Sequence, residues 1–494
     1  MKLLLTFTLF LTSALAPQAS QAAEPSVAFR SAKVADPREA KDNQKTVVDS
    51  PRPNFVFILL DDLGWQGLHC FGDTFFETPR IDRLAAEGMK FTDAYSACHV
   101  CSPTRASIMT GQYPARLHLT DYIPGREEPF AKLRQPEWSK QLPRDATTLA
   151  EALKPLGYAS ASIGKWHLGG LGSQPTDRGF DVSFGDPLGG GQRSMFWPYG
   201  RPRVDGIEGQ YLTDHVTDEA IKFIDANRDK PFFLYLSHYA VHNPVEAKAD
   251  RVERYRAKLD PSDKQHDPTY AAMIDSVDES TGRVLDRLEE LGIDDRTIVI
   301  FVSDNGPLKP YSRPSPLRES KGTIYEGGIR VPMIVRWPGV VRPGSVCGVP
   351  VSSVDFFPTI LEIAGAKPRE VDGESLVPLF KQEGQLERDA IYWHYPHYSN
   401  HLMPPFGAIR QGDFKLVELY EDGQLQLFNL KDDLGETRNL AGAMPEKTKE
   451  LHAKLEAWRK SVGAQRMTPN PDYDPAKTQW NRRKGRVINI YDMP

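Results

Sequence analysis

Two acidic pairs, each placed directly after an apolar run, are the residues of this 494-residue chain whose types and spacing first suggest chemistry. Asp61-Asp62-Leu63-Gly64 follows Phe55–Leu60, and Asp304-Asn305-Gly306 follows Thr297–Ser303. Short continuous apolar runs of this kind read as parallel strands buried on both faces. Side chains alternate faces along a strand, so neighbouring acids converge only where the strand ends. Ligand sites in open α/β sheets lie beyond the carboxyl ends of strands. Asp61, Asp62, Asp304 and Asn305 would then gather at one sheet edge. Carboxylates plus an amide oxygen suit Ca²⁺ or Mg²⁺ rather than zinc, and Ca²⁺ better tolerates an irregular all-protein shell. Asp, Asn and Gly also form turns, so either pair alone reads equally as a turn.

Cys101-Ser102-Pro103-Thr104-Arg105 precedes a short helical run, Ala106–Thr110, that stops at Gly111. Pro103 fits a first helical turn and Ser102 offers an N-cap. Cys101 is therefore expected just outside a helix N-terminus, where free N–H groups and the helix dipole favour anions. Arg105 would lie about one turn in, facing back toward Cys101. The competing reading is a buried cysteine at a helix start. Cys98-x-x-Cys101 also has redox or zinc spacing, but no second ligand pair accompanies it. With only Cys70 and Cys347 besides, there is no disulfide framework.

Three basic runs complete the set: Lys165-Trp166-His167 after a strand ending at Ile163, His238 to Pro244 after Pro231–Ser237, and Lys321 to Arg330 beyond the second acidic pair. Each basic residue alone reads as surface charge or a core histidine. Jointly, from Asp61 to Arg330, these runs resemble the motifs of type I sulfatases, formylglycine-dependent hydrolases of the alkaline phosphatase-like superfamily. The cysteine run and its continuation Thr110-Gly111-Gln112-Tyr113-Pro114 carry the resemblance furthest.

The resemblance implies that a formylglycine-generating enzyme converts Cys101 to formylglycine (3-oxoalanine). It implies one Ca²⁺ held by Asp61, Asp62, Asp304, Asn305 and modified residue 101. Arg105, Lys165, His167, His242 and Lys321 fall on catalytic positions. In the implied mechanism the hydrated aldehyde attacks sulfur, the lysines bind sulfate oxygens, His242 protonates the leaving oxygen, and His167 deprotonates the second hydroxyl to release sulfate. His242 matches better than His238 because it directly precedes an x-Pro pair; His238 is retained as a substrate neighbour. Two competing readings remain: a phosphate or phosphonate ester hydrolase on the same fold, and an inactive secreted carbohydrate-binding homologue.

The elements that must position these residues alternate. Helices are expected at Ile81–Glu87, Thr147–Leu156, Thr217–Ala226 and Tyr270–Leu291, and strands at Tyr158–Ile163, Pro231–Ser237, Thr297–Ser303 and Val331–Trp337. This is an α/β fold: a large, mostly parallel sheet between helices. After Gly365 the pattern changes to short strands near Ala390–His394, Gly407–Arg410, Phe414–Leu419 and Gln424–Asn429, then a helix at Glu446–Val462. The expected division is a signal peptide (1–22), a flexible leader (23–50), a catalytic domain (51–365) and a smaller C-terminal α+β subdomain with an antiparallel sheet (366–494). The C-terminal third resembles sulfatases in layout only.

Net charge is -5, which supplies no general basic field for nucleic acid or membrane. Lys2 followed by apolar Leu3–Leu15 reads as a secretory signal, too short to span a bilayer. N-x-[ST] sequons are absent, which favours a bacterial periplasmic or secreted protein. The expected substrate is a sulfated saccharide with galactose- or N-acetylgalactosamine-type units. Trp393-His394-Tyr395-Pro396-His397-Tyr398 offers rings for stacking, with His394 and His397 as substrate-binding candidates. Leu188–Tyr199 and Arg116–Tyr122 are further candidate pocket loops.

Overall fold

The computed structural model describes residues 52–480, except 187, 188, 190, 191, 310, 312–315, 400 and 402. The expected signal peptide and leader, part of the Leu188–Tyr199 loop, and the basic run at 482–486 lie outside the described residues.

Eight strands form the main sheet. In space they run Ser345–Cys347, Met89–Phe91, Met333–Arg336, Thr297–Ser303, Asn54–Leu60, Phe232–Ser237, Ala159–Gly164 and Val182–Phe184. All point the same way except Met333–Arg336, which is antiparallel to both neighbours. The two strands that carry the acidic pairs are adjacent and in register, with Leu60 opposite Ser303. The Asp61 and Asp304 turns therefore leave the sheet side by side.

Asn54–Leu60 is buried throughout because both faces of the sheet are covered. Val56, Ile58 and Leu60 enter one core with residues of helices Pro79–Glu87, Leu212–Asn227 and Pro268–Glu290. Phe55, Phe57 and Leu59 enter the other, with Ala106, Ile108 and Met109 of helix Cys101–Thr110 and Phe356, Phe357 and Ile360 of helix Phe356–Ala364. This second core also draws Leu376, Leu379 and Phe380 from beyond the expected boundary at 365.

The C-terminal sheet is antiparallel, in the order Ala390–Tyr395, Phe406–Gln411, Phe414–Leu419, Gln424–Asn429. One face packs on helix Pro445–Ser461 through Ile409, Leu416, Leu427, Leu451 and Leu455. The other packs through Trp393, Phe406, Val417 and Phe428 on Tyr95, Val100, Ile324 and Ile329. Val100 directly precedes Cys101 and Ile324 follows Lys321 by three residues, so the C-terminal sheet is a wall behind the candidate site. No helix among the described residues is long and apolar enough to cross a membrane.

Candidate active site

The two strand ends deliver the acids as one cluster. The Asp304 N–H donates to Leu60 O at 3.0 Å, and Asp61 exchanges backbone hydrogen bonds with Ala240 and Val241 at 3.0 and 2.7 Å. Asp62 adopts a left-handed backbone, φ 64°, a conformation that Asp tolerates better than most residues. This turns its side chain back beside Asp61. Asp61, Asp62, Cys101 and Asp304 offer ligand atoms that all lie within 4.8 Å of one another, every one buried. Asn305 joins them, its Nδ2 donating to Asp62 Oδ1 at 2.7 Å.

Helix Cys101–Thr110 begins two residues earlier than expected, with Val100 rather than Ser102 as N-cap, so Cys101 is its first residue. The reason lies in Ser102, whose hydroxyl accepts the Ile123 N–H at 3.1 Å instead of capping the helix. Gly111 ends the helix in a left-handed conformation, φ 70°. Cys101 Sγ lies 3.5 Å from Asp61 Oδ1 and 3.5 Å from Lys321 Nζ. Burial, then Asp61, pushes the Cys101 thiol up to about 12. Unmodified, it is therefore a poor thiolate nucleophile.

Arg105 is wholly buried and anchors the cluster. Its Nε donates to Asp304 Oδ2 at 2.9 Å, its second arm reaches the same oxygen at 2.8 Å, and its Nη1 donates to Lys165 O and Ser237 Oγ at 2.8 and 2.6 Å. Lys165 Nζ meets Asp61 Oδ2, and Lys321 Nζ meets Asp62 Oδ1, each at 2.5 Å. Burial works to raise the Asp61 carboxyl, but Lys165, His242, Arg105 and Lys321 hold it well below the usual range. Asp304 moves the other way, to about 6, because burial and the neighbouring Asp61 outweigh Arg105.

A cavity of about 270 Å³ opens onto this cluster, lined by Val100, Cys101, Tyr122, His167, His242, Asn243, Leu308, Lys321 and His401. His167, also left-handed at φ 62°, places Nε2 2.6 Å from Ile123 O. That carbonyl can only accept, so Nε2 carries the proton and Nδ1 is the free base. Nδ1 is buried with no hydrogen-bond partner. Burial, then Lys165, holds the ring neutral. His242 sits at the mouth, its Nε2 3.8 Å from Asp62 Oδ2, and burial followed by Lys321 lowers it too.

Three expected substrate contacts lie elsewhere. His238 is buried under the sheet against Ser280 Oγ at 3.2 Å. His394 is bound on both ring nitrogens, by the Tyr420 hydroxyl at 2.6 Å and Gln465 O at 2.8 Å. His397 is likewise held by Thr120 Oγ1 at 2.8 Å and Gln135 Nε2 at 3.0 Å. Their neighbours are structural as well: Trp393 donates to Ser96 O at 2.8 Å, and Tyr392 stacks flat on Trp458. The aromatic run is an interior strand end, not a sugar platform. From this region His401 reaches the cavity instead, and sequence reasoning missed it for want of any flanking pattern. Of Arg116–Tyr122, Tyr122 lines the cavity, whereas Arg116 and His118 face a separate one.

A mostly parallel sheet with a buried carboxylate cluster at adjacent strand ends, flanked by lysines, is the layout of an alkaline phosphatase-like hydrolase. The sulfatase family model matches residues 53–366, and the model for the C-terminal region of N-sulphoglucosamine sulphohydrolase matches 320–461. The chain is 33% identical to a sulfatase of Formosa agariphila, over 82% of this chain and 88% of that protein. It is 33% identical to N-acetylgalactosamine-6-sulfatase of Mus musculus, over 82% and 79%. Among solved structures it resembles Ps i-CgsB in complex with k-i-k-neocarrahexaose, with TM-score 0.72 and 29% identity over 90% of this chain and 98% of that one. The chain belongs to the sulfatase family and is a sulfuric ester hydrolase.

Proposed function

We propose that this enzyme removes sulfate from a sulfated saccharide, using a formylglycine made from Cys101 and one Ca²⁺. The observation that carries the reading is the donor set around Cys101. Asp62 Oδ2 and Asn305 Oδ1 are buried acceptors without a hydrogen-bond partner, beside two further buried carboxylates. Unsatisfied buried acceptors are costly unless a cation meets them. An all-oxygen set fits Ca²⁺ held by Asp61, Asp62, Asp304 and Asn305. When bound, the ion would polarise a sulfate oxygen and lower the pKa of a hydroxyl at position 101. The hydrated aldehyde at that position would supply the attacking hydroxyl and a second hydroxyl for release.

The chain's own residues do the rest. Lys165 and Lys321 bind the sulfate oxygens, and each such buried donor contributes roughly 3–4 kcal/mol at the transition state. Arg105 fixes Asp304 and the floor beneath residue 101. His242, at the mouth beside Lys321, passes a proton to the departing sugar oxygen from its imidazolium form, which the negative charge of the bound ester favours over the neutral ring of the free enzyme. His167 Nδ1, already deprotonated, accepts the proton whose loss frees sulfate. Three carboxylates and three cations leave the cluster near neutral, so a divalent ion gives net positive charge for a monoanionic sulfate ester.

Galactose- or N-acetylgalactosamine-type sulfates are the proposed substrate units, supported by what the mouse relative is named for and by the oligosaccharide bound to Ps i-CgsB. Export to the periplasm or beyond, and maturation by a formylglycine-generating enzyme, complete the proposal. The test begins with protein made in a host that has the maturing enzyme. The peptide containing residue 101 should be about 18 Da lighter than its thiol form, and sulfate should be released from a panel of sulfated sugars. Cys101→Ser should fold and give no turnover. A persistent thiol in a competent host would sink the formylglycine reading. Cleavage of phosphonate monoesters alone would favour the phosphonate hydrolase reading.

A further inference from the structure

Behind the site lies a buried ionic cluster that the proposed chemistry does not use. Lys415, on strand Phe414–Leu419 of the C-terminal sheet, is fully buried, as is Glu326, and Glu436 is nearly so. The Lys415 ammonium donates to Ile324 O at 2.8 Å and to Glu326 Oε1 at 2.9 Å, and pairs with the Glu436 carboxylate at 2.9 Å. Glu436 Oε2 accepts the Glu326 N–H at 2.7 Å, and Glu326 Oε2 accepts the Tyr95 hydroxyl at 2.6 Å. None of these residues lines the catalytic cavity.

What the cluster grips is the segment between Lys321 and Arg330. That segment is stitched by its backbone to the acidic turn. Lys321 N–H donates to Pro307 O at 2.9 Å, and Gly306 N–H donates to Gly328 O at 3.0 Å. The fit leaves no slack: a Cβ on Gly306 would lie 1.9 Å from Gly327 O. A movement of Glu326 is thus passed through Gly327 and Gly328 to Gly306, next to Asp304 and Asn305, and along the segment to Lys321. Buried ion clusters are rarely retained for stability, since apolar or neutral replacements of similar shape are often as stable. Groups behind metal ligands, by contrast, govern affinity and activity strongly.

We propose that Lys415 is a positioning residue: from the C-terminal sheet it clamps Ile324, Glu326 and Glu436, and through them sets Lys321 and the Asp304–Asn305 turn. This rests on the roles given above to those three residues. Arg330 Nη1 also donates to Glu326 Oε2 at 3.2 Å, but Lys415 is the cation that meets both carboxylates, and burial pushes Glu436 up to about 7.

The test compares wild type with Lys415→Met and with the neutral triple variant Lys415→Met, Glu326→Gln, Glu436→Gln. Ca²⁺ binding is measured by calorimetry on full-length protein with Cys101 left as the thiol, and kcat and KM on matured enzyme. The triple variant should melt within a few degrees of wild type, yet bind Ca²⁺ about 10-fold or more weakly and lose kcat by a similar factor with little change in KM. Wild-type Ca²⁺ affinity and kcat in either folded variant would overturn the proposal. Failure of the triple variant to fold would overturn it too, because the cluster would then be a stability element. If wild type itself binds no Ca²⁺, the calcium reading fails instead, and the kcat comparison alone judges Lys415.

Discussion

Removing the Arg105 guanidinium should destabilise the protein because it strands Asp304. Arg105 meets Asp304 Oδ2 through two nitrogens at 2.9 and 2.8 Å, and both side chains are wholly buried. Losing one partner of such a pair costs roughly 3–5 kcal/mol, since the other charge has no water to turn to. Against a total stability of about 5–15 kcal/mol this is a large fraction. Arg105→Ala should therefore lower the urea midpoint markedly in calcium-free buffer. Arg105→Lys should fall between, keeping the charge but not the fork. The loss also has a pH signature. Asp304 is raised to about 6, by burial and then Asp61, even with Arg105 present, and it must rise further without it. A carboxyl raised in the folded state favours folding while protonated and costs stability as pH rises through its folded value. The deficit of Arg105→Ala should then be larger near about pH 8 than near about pH 5. A double-mutant cycle with Asp304→Asn isolates the pair, and the double variant should recover about 2 kcal/mol relative to the sum of the singles. A coupling near zero, or a deficit independent of pH, would refute the claim that the pair is what Arg105 holds together.

Lys165→Ala should reduce kcat by roughly 10²–10³ in steady-state assays with a smaller effect on KM, as expected for a donor used mainly in the transition state; an unchanged kcat would remove Lys165 from the machinery. Gly306→Ala drives a methyl against backbone, 1.9 Å from Gly327 O, so thermal melting should drop by several degrees and calorimetric Ca²⁺ affinity should weaken together. Asp121 is buried and accepts the Tyr395 hydroxyl at 2.7 Å, yet burial outweighs its hydrogen bonds and raises it to about 7. Its contribution to stability is present at low pH and declines as pH rises from its unfolded value toward about 7, by at most about 1.4 kcal/mol per unit. Asp121→Asn should flatten that decline in urea titrations across pH, and a slope identical to wild type would show that Asp121 stays ionised throughout.

The sequence exposed the parts of the site that ride on strand ends. A strand buried on both faces writes an apolar run, and the residues just past it must turn, so Asp61-Asp62 and Asp304-Asn305 were placed correctly at one edge. The sulfatase-like motifs then drew Cys101, Lys165, His242 and Lys321 toward the same point. Short strands such as Met89–Phe91 and Val182–Phe184 were missed because three residues show no periodicity. The antiparallel direction of Met333–Arg336 was invisible for a similar reason: direction is a property of the pairing, not of the run.

The histidines show where local reading fails. His394 and His397 sit in a run of rings that suits a sugar platform equally well as an interior strand. The choice between those depends on what lies across from them: Tyr420 and Gln465 for one, Thr120 and Gln135 for the other. Each partner lies far away in sequence, so no spacing rule reports it. The same holds for Lys415, whose partners Ile324, Glu326 and Glu436 come from two other stretches of chain. In sequence it is one lysine in an alternating strand, where a charged side chain is expected to face water. Folding instead turns it inward because the segment that carries Lys321 presents a carbonyl and a carboxylate that need a cation. A buried charge demands partners, and partners supplied by the catalytic segment tie the second sheet to the chemistry.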